Sequence, residues 1–408
     1  MTARKSTGGT AAEVRTSDVI AFRLHAHHLT NRQPVDALHE VAGACGIQSS
    51  PPGSALLALH ARVEEVTQDR VDHLVGEDKS LLQTWCMRGS PFCFPTVDAP
   101  VFTTGVLPAT ENARMHLITG IDHALNKLGM GLDEAVDITA EEIGAVLSQR
   151  RLAINELGEE LAERIAGRLS PSRLKTWQAK GPYGANQPLG EAVVHFCVRM
   201  LTLRGIVCIA PRSENKAPFV LFEEWLGHPL PQVDPDSARA TLLRRYLHCY
   251  GPSTRKDFAA WVGVHAGDAG PWWTTLEDEL TLVEFDGRRA WILADDLEAL
   301  QSPPEARGVR LLPPRDPYTQ MRDRDTIVDR KHQRQVWKSV GEPGAVLADG
   351  TIVGIWRPRK SGRKLALTVQ TFRSLSTELR KRVGEEAGHV AELRGASAVQ
   401  VTFEDTPR

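Results

Sequence analysis

One order of elements recurs three times along this 408-residue chain: helices, then two short apolar runs around a turn. It is clearest between residues 237 and 300. Residues 238–250 (ARATLLRRYLHCY) set Leu242, Leu243, Tyr246, Leu247 and Tyr250 on one helical face. Gly251-Pro252 breaks that helix, and Ser253 or Thr254 can cap a second over 255–261, which Gly263 ends. A third helix fits 269–280, with Pro271 in its first turn. Runs 281–285 and 289–293 then flank Asp286-Gly287, a strong two-residue hairpin signal. Three helices followed by a hairpin make a winged helix. Its second and third helices form a helix-turn-helix, and Asp286-Gly287-Arg288-Arg289 forms a basic wing tip.

Two earlier segments repeat the order. Between 33 and 100, a helix over 34–44 precedes a turn, Gly46-Ile47-Gln48-Ser49-Ser50-Pro51-Pro52. Helices over 53–63 and 68–74 follow, then strands 82–87 and 92–97 around Arg88-Gly89-Ser90. Between 159 and 225, a helix ends near Leu169, Ser170-Pro171 opens a second, and 189–203 is a long third. Strands 206–210 and 219–222 bracket the polar tip 212–216. Residues 110–157 read as an acidic helical segment carrying Asp133, Glu134, Asp137, Glu141 and Glu142 on a solvated face.

After Leu300 the pattern changes. Runs 346–348 and 352–356 flank Asp349-Gly350, a strand fits 365–369, and a helix over 374–393 and a strand over 398–403 finish the chain. The expected class is therefore α+β: about three tandem winged helices (15–105, 159–236, 237–303) and a C-terminal small β-sheet or barrel-like domain over 304–408. A loose tail over 1–14 and an accessory helical segment over 106–158 complete the division.

Charge gives the first indication of a partner. The formal net charge is only −2, so a polyanion partner needs a local patch. Between residues 304 and 382, eighteen lysines and arginines face eight acidic residues. They concentrate in Arg330-Lys331-His332-Gln333-Arg334 and in Arg357-Pro358-Arg359-Lys360-Ser361-Gly362-Arg363-Lys364. A concentrated excess of this kind suits phosphates, because each neutralised phosphate releases counterions.

Other chemistries find little support. The six cysteines show no C-x₂₋₄-C spacing, and their apolar surroundings read as buried reduced thiols. No phosphate-binding Gly-rich loop, H-E-x-x-H or G-x-S-x-G occurs. Ser172-Arg173-Leu174-Lys175 matches S-x-x-K but lacks a K-T-G companion and reads as a helix start, and His25-Ala26-His27-His28 has no partner cluster. No metal or cofactor is expected. No apolar run approaches the roughly 20 residues that span a bilayer, so no membrane partner is expected and a cytoplasmic, nucleoid-associated protein is.

Several stretches, taken in order, resemble the bacterial crosslink-repair DNA glycosylases of the YcaQ/AlkZ type. They are Gly46-Ile47-Gln48 with Ala58-Leu59-His60-Ala61-Arg62, Trp85-Cys86-Met87-Arg88-Gly89-Ser90, Phe222-Glu223-Glu224-Trp225-Leu226, and the run Arg244 through Ser253. Leu311-Leu312-Pro313-Pro314-Arg315-Asp316-Pro317-Tyr318, Arg322-Asp323-Arg324, and Asp349-Gly350 leading to Gly354-Ile355-Trp356 continue the series. The resemblance implies winged helices cradling double-stranded DNA and metal-free hydrolysis of the N-glycosidic bond of bulky N7-alkylated or crosslinked purines. No obligate protein partner is inferred.

The family's Gln-x-Gln or Gln-x-Asp tripeptide falls here on Gln48-Ser49-Ser50. Gln48 matches and Ser50 does not. By resemblance Gln48 holds the nucleophilic water and Ser50 assists, although a serine has no carbonyl and reaches less far. The expected DNA contacts are Arg62, Arg88, Lys216, Arg288, Arg289, Arg322, Arg324, Arg357, Arg359, Lys360, Arg363 and Lys364. The alternative is a non-catalytic winged-helix DNA-binding protein, a regulator or lesion binder that has lost the glycosylase chemistry.

Overall fold

The structure is a computed structural model that describes residues 11–184, 186–212 and 216–405. It is an α+β assembly in which the described strands form three small sheets. Helices followed by a hairpin occur in each of the three expected stretches, and the local reasons are those in the sequence. Thr254 accepts from the Asp257 N–H to cap the helix Arg255–Val262, and Gly263 closes that helix at φ 107°. Asp286 and Gly287 both adopt positive φ and turn the chain between strands Leu280–Phe285 and Arg288–Leu293.

Three local expectations change. The helix expected over 269–280 breaks into a 3₁₀ turn Ala266–Ala269, a short helix Gly270–Trp273 and a 3₁₀ run Thr274–Glu279. Gly270, Pro271 and the paired β-branched Thr274 and Thr275 are poor helix formers, and burying Trp272 and Trp273 fixes the path instead. The turn expected over 46–52 contains a two-residue strand, Ile47–Gln48, antiparallel to Cys93 and Phe92. The loose tail expected over 1–14 is already ordered at Ala12–Glu13, which pair in parallel with Val283 and Glu284; residues 1–10 lie outside the described residues.

The first two hairpins merge. Strands Ile47–Gln48, Pro91–Pro95, Leu81–Trp85, Val207–Ile209 and Phe219–Leu221 form one five-stranded sheet, joined where Gln83 pairs with Ile209. Joining the hairpins edge to edge satisfies backbone groups that separate wings would leave open. Helix Leu189–Leu203 packs on this sheet and on the acidic helix Leu132–Leu147. The acidic side chains there meet arginines: Arg114 on Asp133, Arg173 on Glu134, Arg204 on Asp137, Arg168 on Glu141 and Glu142. At such exposure each pair contributes at most about 1 kcal/mol.

The C-terminal region is an open five-stranded sheet ordered Ala398–Asp405, Lys364–Thr371, Thr351–Ser361, Gly344–Ala348, Val309–Leu312. Leu365, Leu367 and Val369 alternate inward along one strand. They meet Val383, Ala387, Val390 and Ala391 of helix Thr377–Leu393, which Ser376 caps. That helix is the crossover that lets the last strand pair in parallel.

Two buried ion pairs tie the C-terminal region to the helices. Arg23, fully buried, donates to the Gly251 and Pro252 carbonyls (3.1 and 2.8 Å) and pairs with Asp323 at 2.8 Å. Arg62 makes a two-pronged bond to Asp316 at 2.8 and 2.7 Å and also donates to the His27 and Ala58 carbonyls. Together they fix the segment 313–324 against the first and third helical stretches. Among the described residues no helix is long and apolar enough to cross a membrane.

Candidate active site

The strand Ile47–Gln48 is short because Pro51 and Pro52 lie just beyond it, and its pairing with Phe92 sets Gln48 beside the tip of the first hairpin. At that tip Arg88 and Gly89 both adopt positive φ, which turns Arg88 inward rather than into solvent. Gln48 is only 4% exposed, and its Oε1 accepts from Arg88 Nη2 at 3.3 Å. The same nitrogen reaches Gln320 Oε1 at 3.4 Å, while Arg88 Nη1 donates to the Trp261 carbonyl. Burial, with Arg322 and Arg315 nearby, pushes the Arg88 guanidinium down to about 9, so it stays mainly charged at neutral pH.

Gly263 permits this arrangement. A Cβ there would sit 3.0 Å from both Cα and Cγ of Arg88, at a φ that L side chains rarely adopt. Gly263→Ala is therefore expected to lower stability by about 1–3 kcal/mol, read as a fall in melting temperature. A melting temperature equal to wild type would contradict the close packing described.

Ser50 lies two residues on, part-buried, and its Oγ accepts from Arg315 Nη1 at 3.4 Å. Arg315 Nε in turn faces Glu342 Oε2 at 3.3 Å. Arg322 is part-buried, its Nε has no hydrogen-bond partner among the described residues, and burial lowers its guanidinium. Arg324 lies over the Trp337 ring at 4.6 Å, a cation–π contact. Two amide side chains, a hydroxyl, four guanidiniums and one carboxyl thus come together from segments far apart in sequence. Such a site can hold an anionic backbone with its arginines and orient a water with the Gln48 carbonyl.

The other expected contacts divide. Arg62 is 1% exposed and committed to Asp316, so it is a structural ion pair and not a phosphate contact. Lys216 is exposed and pairs with Glu156; the neighbouring tip residues 213–215 lie outside the described residues. Arg288 donates to Thr326 Oγ1 at 2.9 Å and packs over Phe285, while Arg289 beside it is exposed. Arg357 is part-exposed, and Arg359, Lys360, Arg363 and Lys364 are exposed, all on the long hairpin of strands Thr351–Ser361 and Lys364–Thr371. Lys360 also donates to the Arg394 carbonyl. Asp323 and Asp325 do not neutralise Arg322 and Arg324: Asp323 is taken by Arg23 and Arg288, Asp325 by Arg330.

Gln320, Arg315 and Glu342 are the site residues that sequence reasoning missed. Arg315 and Gln320 sit in or beside the stretch 311–318 that carries part of the resemblance, which was their available signal. Glu342 had none, since Gly341-Glu342-Pro343-Gly344 reads as a plain turn.

Three clusters among the described residues could offer donors to a metal: His27, Cys45 and Cys249; His60, Glu386 and His389; His116, His265 and Asp268. None includes Glu342, the carboxyl of the site. The first is wholly buried among free thiols. In the second, Arg32 already holds both Glu386 oxygens at 2.7 and 2.9 Å, and burial pushes His60 down to about 4. A cavity of about 660 Å³ beside His60 and His389 likewise contains none of the residues around Gln48. In the third, Asp268 accepts from both His116 and the His265 N–H, which caps a turn.

Comparison with known proteins identifies the family over most of the chain. The family model described as DNA glycosylase AlkZ-like matches residues 41–393. The chain is similar to an interstrand DNA cross-link repair glycosylase of Streptomyces sahachiroi, 26% identical over 391 residues, 94% of this chain and 97% of that protein. Its fold is similar to that of the solved Streptomyces sahachiroi DNA glycosylase AlkZ, with a TM-score of 0.75 over 96% of this chain and 100% of that one at 24% identity.

Proposed function

This chain belongs to the AlkZ-like DNA glycosylase family, and on that premise we propose that it binds duplex DNA and excises bulky N7-alkylated or crosslinked purines by hydrolysing the N-glycosidic bond. The observation that carries the reading is the convergence of Gln48 and Ser50 with Arg88 and Arg315 in one site, at the position where the family's catalytic tripeptide falls. In this reading residues 15–105, 159–236 and 237–303 act as winged helices. The acidic helices of 106–158 brace them, and the domain 304–408 brings basic groups to the duplex. The working compartment is the cytoplasm, at the nucleoid.

The chemistry follows from the lesion. N7 alkylation makes the purine cationic, so it leaves without prior protonation. The C1′–N9 bond breaks and its electron pair passes to the base, neutralising the ring charge. The sugar left behind is oxocarbenium-like; the water oxygen held by Gln48 bonds to C1′ and its proton passes to solvent. Arg88 fixes the Gln48 amide by donating to its Oε1, which leaves that oxygen's second lone pair to accept from a water, and the near-complete burial of Gln48 limits competing water.

A second reading, of a lesion binder without chemistry, is favoured by Ser50, whose short hydroxyl is already engaged by Arg315. A gel assay separates the two. Duplex carrying one N7-alkylguanine is incubated with the protein and then treated with alkali. Strand breaks beyond a protein-free control are expected; breaks no more frequent than in that control would leave the binder.

Binding itself has a separate signature. Replacing Arg359, Arg363 and Lys364 together by alanine is expected to reduce the slope of log K against log salt by about two to three, at close to 0.9 for each phosphate no longer neutralised. An unchanged slope would remove the hairpin from the DNA interface.

A further inference from the structure

We propose that Glu342 is a positioning residue of the base-release site, supplying through Arg315 the carboxylate that the Gln48-Ser49-Ser50 segment lacks. The inference rests on the glycosylase reading and deepens it. Its first ground is geometric: Ser50 Oγ, Arg315 and Glu342 form a continuous chain, Nη1 to Oγ at 3.4 Å and Nε to Oε2 at 3.3 Å. Glu342 is 18% exposed on its side chain and Arg315 41%, so the far end of the chain is sheltered and the guanidinium remains within reach of a ligand.

The second ground is the balance of charge. Base loss builds positive charge on the sugar, and four guanidiniums (Arg88, Arg315, Arg322 and Arg324) lie around the site where it develops. Unscreened cations there oppose the reaction. The nearby aspartates are committed elsewhere, Asp316 to Arg62 and Asp323 to Arg23. Glu342 is a carboxyl that faces this group of cations, with Arg315, Arg324 and Arg322 as the charged groups around it, while Asp257, which also acts on Arg322, is held by Thr254 at a helix cap. When ionised it offsets the Arg315 charge and holds that guanidinium so that Ser50 stays oriented toward the water on Gln48. Glu342 needs no contact with the reacting atoms to do this.

Burial raises the Glu342 carboxyl from its ordinary value, and Arg315, Arg324 and Arg322 oppose the shift. Because the ionised form is the useful one, base release falls as pH drops through this raised value and is full above it. The alkylated base is already cationic, so its own protonation does not add a compensating acid limb.

The test is single-turnover release of N7-methylguanine from duplex DNA, measured against pH for wild type, Glu342→Gln and Glu342→Asp. Wild type should show an acid limb shifted upward from that of a free carboxylate. Glu342→Gln should lose about tenfold in rate at neutral pH, the effect of one partly screened charge near the sugar, and should lose the limb. Glu342→Asp should retain the limb. Affinity for undamaged duplex should be equal or higher in Glu342→Gln, which separates the loss from misfolding. Wild-type release above the protein-free rate, together with a Glu342→Gln variant that keeps both rate and limb, would overturn the role of Glu342 and leave the glycosylase reading standing. Absence of release by wild type itself would overturn both.

Discussion

Replacing Gln48 by alanine is expected to slow base release by about a hundredfold or more while affinity for undamaged duplex changes little. The magnitude follows from what the side chain does. In the proposed reaction its carbonyl orients the water at the developing cation, and removing one such preorganised group from a water-poor site costs about 10²–10³ in rate. The hydrogen bond that locks it, Arg88 Nη2 to Oε1 at 3.3 Å, disappears with the side chain. Arg88 retains the Trp261 carbonyl and Gln320, so the hairpin tip stays in place. The measurement is the single-turnover rate on an N7-alkylguanine duplex. A variant within twofold of wild type would show that the water is held by another group.

Removal of Arg62 is expected to act on stability instead. Arg62→Ala leaves the fully buried Asp316 carboxylate without its partner, a situation that costs about 3–5 kcal/mol. It also leaves the His27 and Ala58 carbonyls without their donor. Asp316 further accepts from the Tyr318 N–H at 2.9 Å, so Asp316→Ala should be comparably harmful. The double replacement Arg62→Met with Asp316→Leu should cost clearly less than the sum of the single replacements, because neither charge is then stranded. Urea unfolding measures all three. A loss below 1 kcal/mol in Arg62→Ala, with weakened DNA binding, would return this residue to the phosphate contacts.

Elements whose signal is local were legible in the sequence. The hairpins at Asp286-Gly287 and Asp349-Gly350 form where turn chemistry placed them. The long helix Leu189–Leu203 has the bounds its periodicity predicts. Features decided by tertiary contact were not legible. No local pattern announces that Gln83 pairs with Ile209 to merge two hairpins, or that a third helix yields to the burial of Trp272 and Trp273. The site shows the same division. Gln48 and Arg88 were found through resemblance, and the structure brings them into contact. Arg62 looked like a phosphate ligand because sequence gives no sign of a partner 254 residues away. Glu342 and Gln320 were missed for the same reason: they join the site only through the fold.

The proposed activity is release of an alkylated purine from duplex DNA by the site around Gln48. The most direct measurement is the first-order rate of N7-methylguanine loss from a defined duplex with protein in excess, beside the same duplex without protein at the same pH and temperature. Acceleration of at least about a hundredfold, confined to the alkylated strand position, is expected. Equal rates in the two samples, with the duplex demonstrably bound, would contradict it.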